Sequence, residues 1–294
     1  LSLTQKASRF HNTSTTMITR FFNYLVSLRG YSPRTAYGYL ADLKAFSNWL
    51  SANRTHADFL SVTREDLDEY ITARCAEGCK PATTNRELAS ISAFYRYLRR
   101  EGVINENPAQ YESRRKVGLM QPNTIPPEDL RKAYNNASGL ARILLGLFMT
   151  TGLRTCEVLA MKWEDINFSL CSIRLHGKGN KERDVYTTSE VLAPLALAYR
   201  EKQPKGLIFR IAERRLRRVI YWALQPYSTA KQLSPHAIRH TFATEVARQG
   251  VNTSTLASML GHNRIETTQH YIDMAQNDTK QAFRAFNILN PNNM

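Results

Sequence analysis

The stretch LGHNRIETTQHYIDM, residues 260–274, carries a tyrosine, Tyr271, nine residues after a histidine, His262. A tyrosine hydroxyl has an ordinary pKa of about 10, so forming the phenolate at pH 7 costs about 4 kcal/mol. An isolated tyrosine in such a helical pattern is most often an aromatic packed in the core. Tyr271 can act as a nucleophile only if a base or strong cations lie nearby, and other segments of the chain offer such groups.

The first of these segments is PHAIRHTFATEVARQG, residues 235–250. His236 and Arg239 are three residues apart and share one face of the predicted helix. Because a guanidinium donates two parallel hydrogen bonds to phosphoryl oxygens, an imidazole beside it suits a phosphodiester. His236 and His240 also have the spacing of a zinc protease helix, but that pattern needs a glutamate where this chain has Ala237. The segment therefore favours phosphate over zinc.

Two further segments contribute cations. TGLRTCEVLAMKW places Arg154 near the start of a predicted helix, where a bound anion would be stabilised; the alternative is an ion pair with Glu157. HGKGNKER, residues 176–183, reads as a turn between two strands with Lys178 at its tip. An ammonium there can approach a phosphate or protonate a leaving alkoxide, although a solvated lysine is the commoner case. The spacing of a nucleotide-binding loop is absent, which argues against ATP.

The elements that must position these residues fall into two halves. Residues 17–102 predict consecutive helices, one beginning after a Ser32 cap with Pro33 in its first turn and one beginning after Thr63. Residues 103–127 contain four prolines and little periodicity, as expected of a linker.

The second half predicts helices on both sides of a β-hairpin, the second helix ending at Gly152. We therefore expect a mainly α fold with a small β-sheet: a helical N-terminal domain over 1–112, a linker over 113–127, and a mixed α/β domain over 128–294.

The charge of the chain narrows its partners. Lys and Arg outnumber Asp and Glu by 40 to 25, for a net charge of +15, and both halves are basic. Such an excess suits phosphate polymers or an anionic membrane surface. No apolar run approaches the roughly 20 residues of a membrane-spanning helix, so we expect no membrane partner. The four cysteines lack a metal-binding spacing and are expected to be reduced thiols of a cytosolic protein.

Taken in order, TGLRTCE, HGKGNKER, PHAIRHTFAT and LGHNRIETTQHY resemble the motif set of the tyrosine recombinases, closest to the Xer-type and integrase-type members. The resemblance covers essentially the whole chain. It implies that Arg154 and Arg239 clamp the non-bridging oxygens of the scissile phosphate and that Lys178 is the general acid for the departing 5′-hydroxyl. It also implies that His236 assists proton transfer with Tyr271 and that His262 bonds to the phosphate.

In such enzymes the tyrosine attacks and forms a 3′-phosphotyrosyl link, which a free 5′-hydroxyl can reverse. The resemblance thus implies strand exchange without ATP, metal or other cofactor, with Glu157 supporting the site. The alternative is a non-catalytic, sequence-specific DNA-binding regulator on the same scaffold. The complete set of six residues favours the enzyme, and the Xer-like layout argues against a monomeric type IB topoisomerase.

The resemblance further implies a clamp around double-stranded DNA, with a core-binding helical domain on one face and the catalytic domain on the other. A basic run is expected to contact phosphates mainly and to position the duplex: Arg210, Arg214, Arg215, Arg217 and Arg218. The final segment, residues 278–294, is expected to dock into a neighbouring subunit, giving a tetramer on two duplexes. The need for an accessory protein stays open.

Overall fold

A computed structural model of the chain describes residues 16–54, 58–110, 115, 122–176, 182–261 and 268–273. The chain divides into two compact units, Leu1–Met120 and Gln121–Met294. The predicted C-terminal docking segment, residues 278–294, lies outside the described residues.

All the secondary structure in the described residues of the first unit is helical. Residues 16–23 form a helix that continues into a π-helical turn, Tyr24–Leu28. Three longer helices follow: α1 (Pro33–Asn53), α2 (Arg64–Ala76) and α3 (Pro81–Arg100). Large aromatic side chains fill the core between them, among them Phe21, Phe46, Phe59, Tyr70 and Phe94.

Local signals set where these helices begin. The Ser32 hydroxyl accepts the Thr35 N–H at 3.2 Å, and Pro33 occupies the first turn of α1. Thr63 and Asp66 form a reciprocal capping box at the start of α2, which satisfies two backbone N–H groups that the helix itself cannot. Both predicted helix starts are confirmed.

Within its described residues the second unit contains seven numbered helices, three strands, a 3₁₀ turn at Trp163–Asp165 and the helical residues 268–273. The helices are α4 (Pro127–Asn136), α5 (Gly139–Thr151), α6 (Thr155–Ala160), α7 (Ser189–Lys202), α8 (Glu213–Leu224), α9 (Pro235–Arg248) and α10 (Thr253–Leu260). The strands are β1 (Ile166–Asn167), β2 (Ser172–His176) and β3 (Glu182–Tyr186), paired antiparallel in the order β1-β2-β3. The predicted mainly α fold with a small sheet is confirmed.

Helix α5 lies at the centre of the second unit, against α4, α7, α8 and α9. Its sequence GLARILLGLFMTT buries Leu144, Leu145, Leu147 and Phe148 completely. The most apolar run of the chain is thus a core helix. Within the described residues, every helix is too short or too polar to span a bilayer.

Two glycines end helices of this unit in the left-handed backbone conformation. Gly152 ends α5 with φ +60°, and Gly261 ends α10 with φ +63°. A Cβ at Gly152 would overlap the ring of Phe242, and one at Gly261 would overlap the guanidinium of Arg183. Both positions therefore favour glycine for conformation; Gly152 needs it for space as well, whereas at Gly261 the Arg183 guanidinium would have to shift.

The predicted linker, 113–127, overlaps the start of this unit. Ile125 is fully buried in the core of the second unit. Its N–H donates to the Thr241 hydroxyl at 2.8 Å, and that hydroxyl donates back to the Ile125 carbonyl at 2.9 Å. Residues just before α4 are therefore anchored to α9 rather than serving as a free connection.

Candidate active site

Arg154 occupies the N-cap position of α6, immediately after the turn at Gly152 and Leu153. Its Nη1 donates to Glu157 Oε1 at 2.9 Å, and its Nη2 donates to the Gly261 carbonyl at 2.8 Å. Its backbone N–H donates to Glu157 Oε2 at 2.8 Å. The ion pair considered from the sequence is therefore present. The side chain is nevertheless 36% exposed, so part of the guanidinium remains open to a ligand.

Arg239, on α9, is the most deeply buried cation of the site, with 2% of its surface exposed. Its Nη1 donates to the Gly152 carbonyl at 2.6 Å and its Nη2 to the Leu260 carbonyl at 2.8 Å. It thereby joins the ends of α5 and α10. Burial, and next the positive charge of Arg154, lower the pKa of Arg239 to about 10, so the guanidinium is still charged at neutral pH.

Glu157 is the carboxylate at the centre of this cluster. Besides Arg154, it accepts a hydrogen bond from Arg183 Nη2 at 2.9 Å, and Arg239 Nη1 lies 4.0 Å from it. Burial acts to raise the pKa of Glu157, but the Arg154 N–H and the Arg183 guanidinium outweigh it and hold the pKa below its usual value. Three guanidinium groups thus share one carboxylate, and the excess positive charge suits an anionic ligand.

His236 lies in the first turn of α9, which the Ser234 hydroxyl caps by accepting the Ala237 N–H at 3.2 Å. Partial burial lowers the pKa of His236, and the charges of Arg239, Arg217 and Arg154 lower it further. The imidazole is therefore neutral at pH 7. Its ring packs edge-on against His240, with 4.1 Å between the ring centroids.

Tyr271, in the helical residues 268–273, is 4% exposed. Its ring packs in a small apolar cluster that includes Ala243, Leu256 and Leu260. Its hydroxyl lies 2.6 Å from His240 Nδ1. Burial raises the pKa of Tyr271, while the charges of Arg239 and Arg154 act to lower it. The two interpretations of this tyrosine therefore coincide: the ring is packed, and its hydroxyl faces the polar cluster.

The structure thus brings together Arg154, Arg239, His236 and Tyr271 from separate segments of the sequence. Lys178 and His262 lie outside the described residues. The strands β2 and β3 on either side of the Lys178 turn confirm the predicted hairpin. His176, which ends β2, contacts Asp165 and Glu182 at 3.0 Å each.

Sequence reasoning missed two residues of this cluster. Arg183, in HGKGNKER, bonds to Glu157, but its motif suggested only a basic hairpin. His240 was considered only as a zinc ligand, although its spacing from His236 already placed the two on one helix face.

The five arginines expected to contact DNA are all exposed. Arg217 pairs with Glu213 at 2.6 Å, and its charge reaches His236, so it lies toward the cluster described above. Arg215 and Arg218 instead line a groove of about 480 Å³ between α4 and α8, next to the exposed Trp222.

Comparison with known proteins identifies the family that shares this architecture. The phage integrase N-terminal SAM-like domain matches residues 18–102, and the phage integrase family matches residues 124–278. Two similar relatives are both named tyrosine recombinase XerC. The protein of Pediococcus pentosaceus is 27% identical over 92% of this chain and 97% of its own. That of Listeria monocytogenes is 30% identical over 90% of this chain and 95% of its own.

Solved structures share the fold. A XerH site-specific recombinase bound to a palindromic difH substrate superposes with a TM-score of 0.73 at 17% identity, covering 86% of this chain and 80% of that one. A lambda integrase (75–356) dimer bound to a COC′ core site gives 0.66 at 17% identity, covering 88% and 94%. The resemblance inferred from the four motifs is confirmed: the chain belongs to the phage integrase family and is a site-specific recombinase of the tyrosine class.

Proposed function

We propose that this chain recombines double-stranded DNA at specific sites through a 3′-phosphotyrosyl intermediate, with Arg154, Arg239 and Tyr271 at the centre of the reaction. The observation that carries the proposal is the convergence of these three side chains from the start of α6, the middle of α9 and residues 268–273. The positive charges of both arginines reach the Tyr271 hydroxyl.

The charge balance of the cluster supports a phosphodiester as the ligand. Within the described residues, Glu157 is the carboxylate that Arg154, Arg183 and Arg239 all approach. A scissile phosphate would add a negative charge beside these groups, and the pentacoordinate transition state would add another. Donors that are already held in place stabilise such developing charge most effectively, and the bonds of Arg239 to two carbonyls hold it in that way.

In this reaction Arg154 and Arg239 bind the non-bridging oxygens while the Tyr271 oxygen attacks phosphorus. Lys178 protonates the departing 5′-oxygen, His262 bonds to the phosphate, and His236 lies beside the reacting groups. The phosphotyrosyl link keeps the energy of the broken diester, so a 5′-hydroxyl from a second strand reverses the attack. Strand exchange through a Holliday junction then needs no ATP, metal or other cofactor.

DNA binding would involve both units, as in a clamp. The exposed arginines, Arg210, Arg214, Arg215, Arg217 and Arg218, would contact phosphates and position the duplex. If on the order of ten phosphates are neutralised, affinity should fall by about 10³ to 10⁵ between 50 and 200 mM salt. We also propose a tetramer on two duplexes, joined through residues 278–294. Recombination assayed with and without cell extract would reveal whether an accessory protein is required.

A covalent trapping experiment on DNA of randomised sequence tests the proposal and identifies the target site at the same time. The wild-type protein is incubated with a pool of nicked duplexes of randomised sequence, from which the short fragment that carries the released 5′-hydroxyl diffuses away after cleavage. Covalent adducts are recovered under denaturing conditions and sequenced. We expect adducts with a shared sequence from the wild type and none from Tyr271→Phe.

The competing function is a non-catalytic regulator on the same scaffold. Tight and selective binding of some sequences without any covalent adduct would establish the regulator and overturn the enzyme. Selection for binding from the same pool, run in parallel, separates the two outcomes.

A further inference from the structure

The hydroxyl of Tyr271 is hydrogen-bonded to a histidine that the motif comparison does not assign. His240 Nδ1 lies 2.6 Å from the Tyr271 oxygen, at the short end of hydrogen-bond distances. The two ring centroids are 5.7 Å apart. His236, the residue expected to assist the proton transfer, packs its ring against His240.

We propose that His240 is the general base that accepts the proton of Tyr271 when the tyrosine attacks DNA; this inference rests on the function proposed above. In this step the bond between the Tyr271 oxygen and its hydrogen breaks, and the proton moves to Nδ1 of His240. The oxygen forms a bond to phosphorus as the bond from phosphorus to the 5′-oxygen breaks. The 5′-oxygen takes its proton from the general acid, so protons and charges balance.

The position of His240 on α9 supports this role. Arg239, the preceding residue, is fixed by its bonds to the Gly152 and Leu260 carbonyls. Thr241, the following residue, is fixed by its two bonds to the Ile125 backbone. The phosphate-binding cation and the base are therefore neighbours on one rigid helix, which is the arrangement that precise positioning requires.

The electrostatics of Tyr271 make a base necessary. Burial raises the pKa of the phenol in spite of the two nearby guanidinium groups, so the hydroxyl is protonated at neutral pH. A proton received by His240 would place a positive charge next to the phosphorane as the phosphorane gains a negative charge. His236 then serves as a neutral partner that holds the His240 ring in place.

Chemical rescue tests the proposal. On a nicked duplex that the wild type cleaves, His240→Ala should form the covalent adduct at least about 10² times more slowly. Added imidazoles should restore the rate in proportion to their basicity, because they occupy the vacated space and accept the proton. A purely structural role of His240 would show no dependence on the basicity of the added compound. His270→Ala is the matched control, since His270 is also a histidine close to the Tyr271 ring, at 6.3 Å between centroids.

The variant His240→Gln covers the case in which His240→Ala does not fold. It keeps an acceptor near the hydroxyl but is not a base, so its cleavage should be as slow as that of His240→Ala. Wild-type rates in His240→Gln, or a folded His240→Ala that imidazole does not rescue, would overturn the inference. An absence of adduct with the wild type would instead refute the proposed function, so the two failures are distinguishable.

Discussion

Both units of the molecule hold buried or partly buried carboxylates beside arginines, but they balance the charges differently. In the first unit, Glu87 is 2% exposed and accepts hydrogen bonds from Arg74 Nη2 at 2.8 Å and from the Tyr70 hydroxyl at 3.0 Å. Asp42 is matched in the same way by Arg86 and by the Ser90 hydroxyl. Each of these two acids has one principal cation and one neutral donor.

In the second unit, Glu157 is shared among Arg154, Arg183 and, at a longer distance, Arg239. Three guanidinium groups so close together repel one another, so an anion that binds beside them should stabilise the unit. Natural proteins often have lower stability at functional sites than elsewhere. The two acids of the first unit are thus matched one to one with arginines, whereas the cluster around Glu157 has more cations than carboxylates, which suits the anionic ligand proposed above.

The largest expected effect is a slower cleavage by a variant that lacks one arginine of the second unit's cluster. Arg154→Ala should slow covalent adduct formation by about 10² to 10³, the usual cost of losing one donor to a transition-state oxyanion. Arg74→Ala, the matched change in the first unit, should lower the Tm but leave the cleavage rate of the folded protein near that of the wild type. Single-turnover cleavage and thermal unfolding measure the two effects, and equal slowing by both variants would contradict the contrast.

Removal of the shared carboxylate should have the next largest effect. Glu157→Gln removes the carboxylate that three guanidinium groups approach and should cost about 3 kcal/mol of unfolding free energy. Millimolar sulfate should recover much of the loss, because it binds the folded state alone. Sodium chloride at the same ionic strength should not.

Glu87→Gln provides the control for this prediction. It should also destabilise, since Arg74 loses its main partner, but Arg74 still pairs with Glu77. Sulfate should then help no more than chloride. A sulfate effect of the same size in both variants would mean that the second unit has no special affinity for anions.

Two glycines with positive φ, one in each unit, extend the comparison to the backbone. Gly78, in the first unit, has φ +80° and open space where a Cβ would stand, so Gly78→Ala should cost only the left-handed conformation, about 1 kcal/mol. Gly261→Ala adds a clash with the Arg183 guanidinium. Its Tm should fall further and its cleavage should slow, whereas Gly78→Ala should cleave normally.

The sequence predicted those parts of the fold that depend on neighbouring residues. Ser32 with Pro33, Thr63 with Asp66, and the glycine that ends α5 each act within one turn of backbone, so their residue types are enough to identify them. The hairpin around residues 176–183 was recognised for the same reason.

The parts that sequence reasoning missed depend on distant partners. Ile125 was placed in a linker because nothing local reveals its bonds to Thr241, which is 116 residues away. The short contact of His240 with Tyr271 spans 31 residues, and that of Arg183 with Glu157 spans 26. The motifs indicated which side chains matter, but only packing determines which of them touch.

The smallest expected effect is on the pH dependence of stability. It compares two histidines of the second unit, His236 and His176, which have opposite surroundings. Cations surround His236 and its pKa is below the usual 6.5, so the unfolded chain takes up a proton more readily than the folded protein. Stability should therefore fall as the pH drops through 6.5. His176 is flanked by Asp165 and Glu182, and chiefly its bond to Asp165 raises its pKa above 6.5. Its contribution is present below 6.5 and is lost as the pH rises through the folded value.

Thermal unfolding between about pH 5.5 and about pH 7.5 tests these opposite signs, because only histidines change charge substantially in that range. His236→Gln should make the Tm fall less on acidification than in the wild type, whereas His176→Gln should make it fall more. Because a bound anion offsets the charges around His236, sulfate should narrow the difference for His236→Gln and leave that for His176→Gln unchanged. If the Tm changed with pH in the same way in both variants, the arginines would have no effect on the protonation of His236. The contrast between the balanced and the unbalanced clusters would then be wrong.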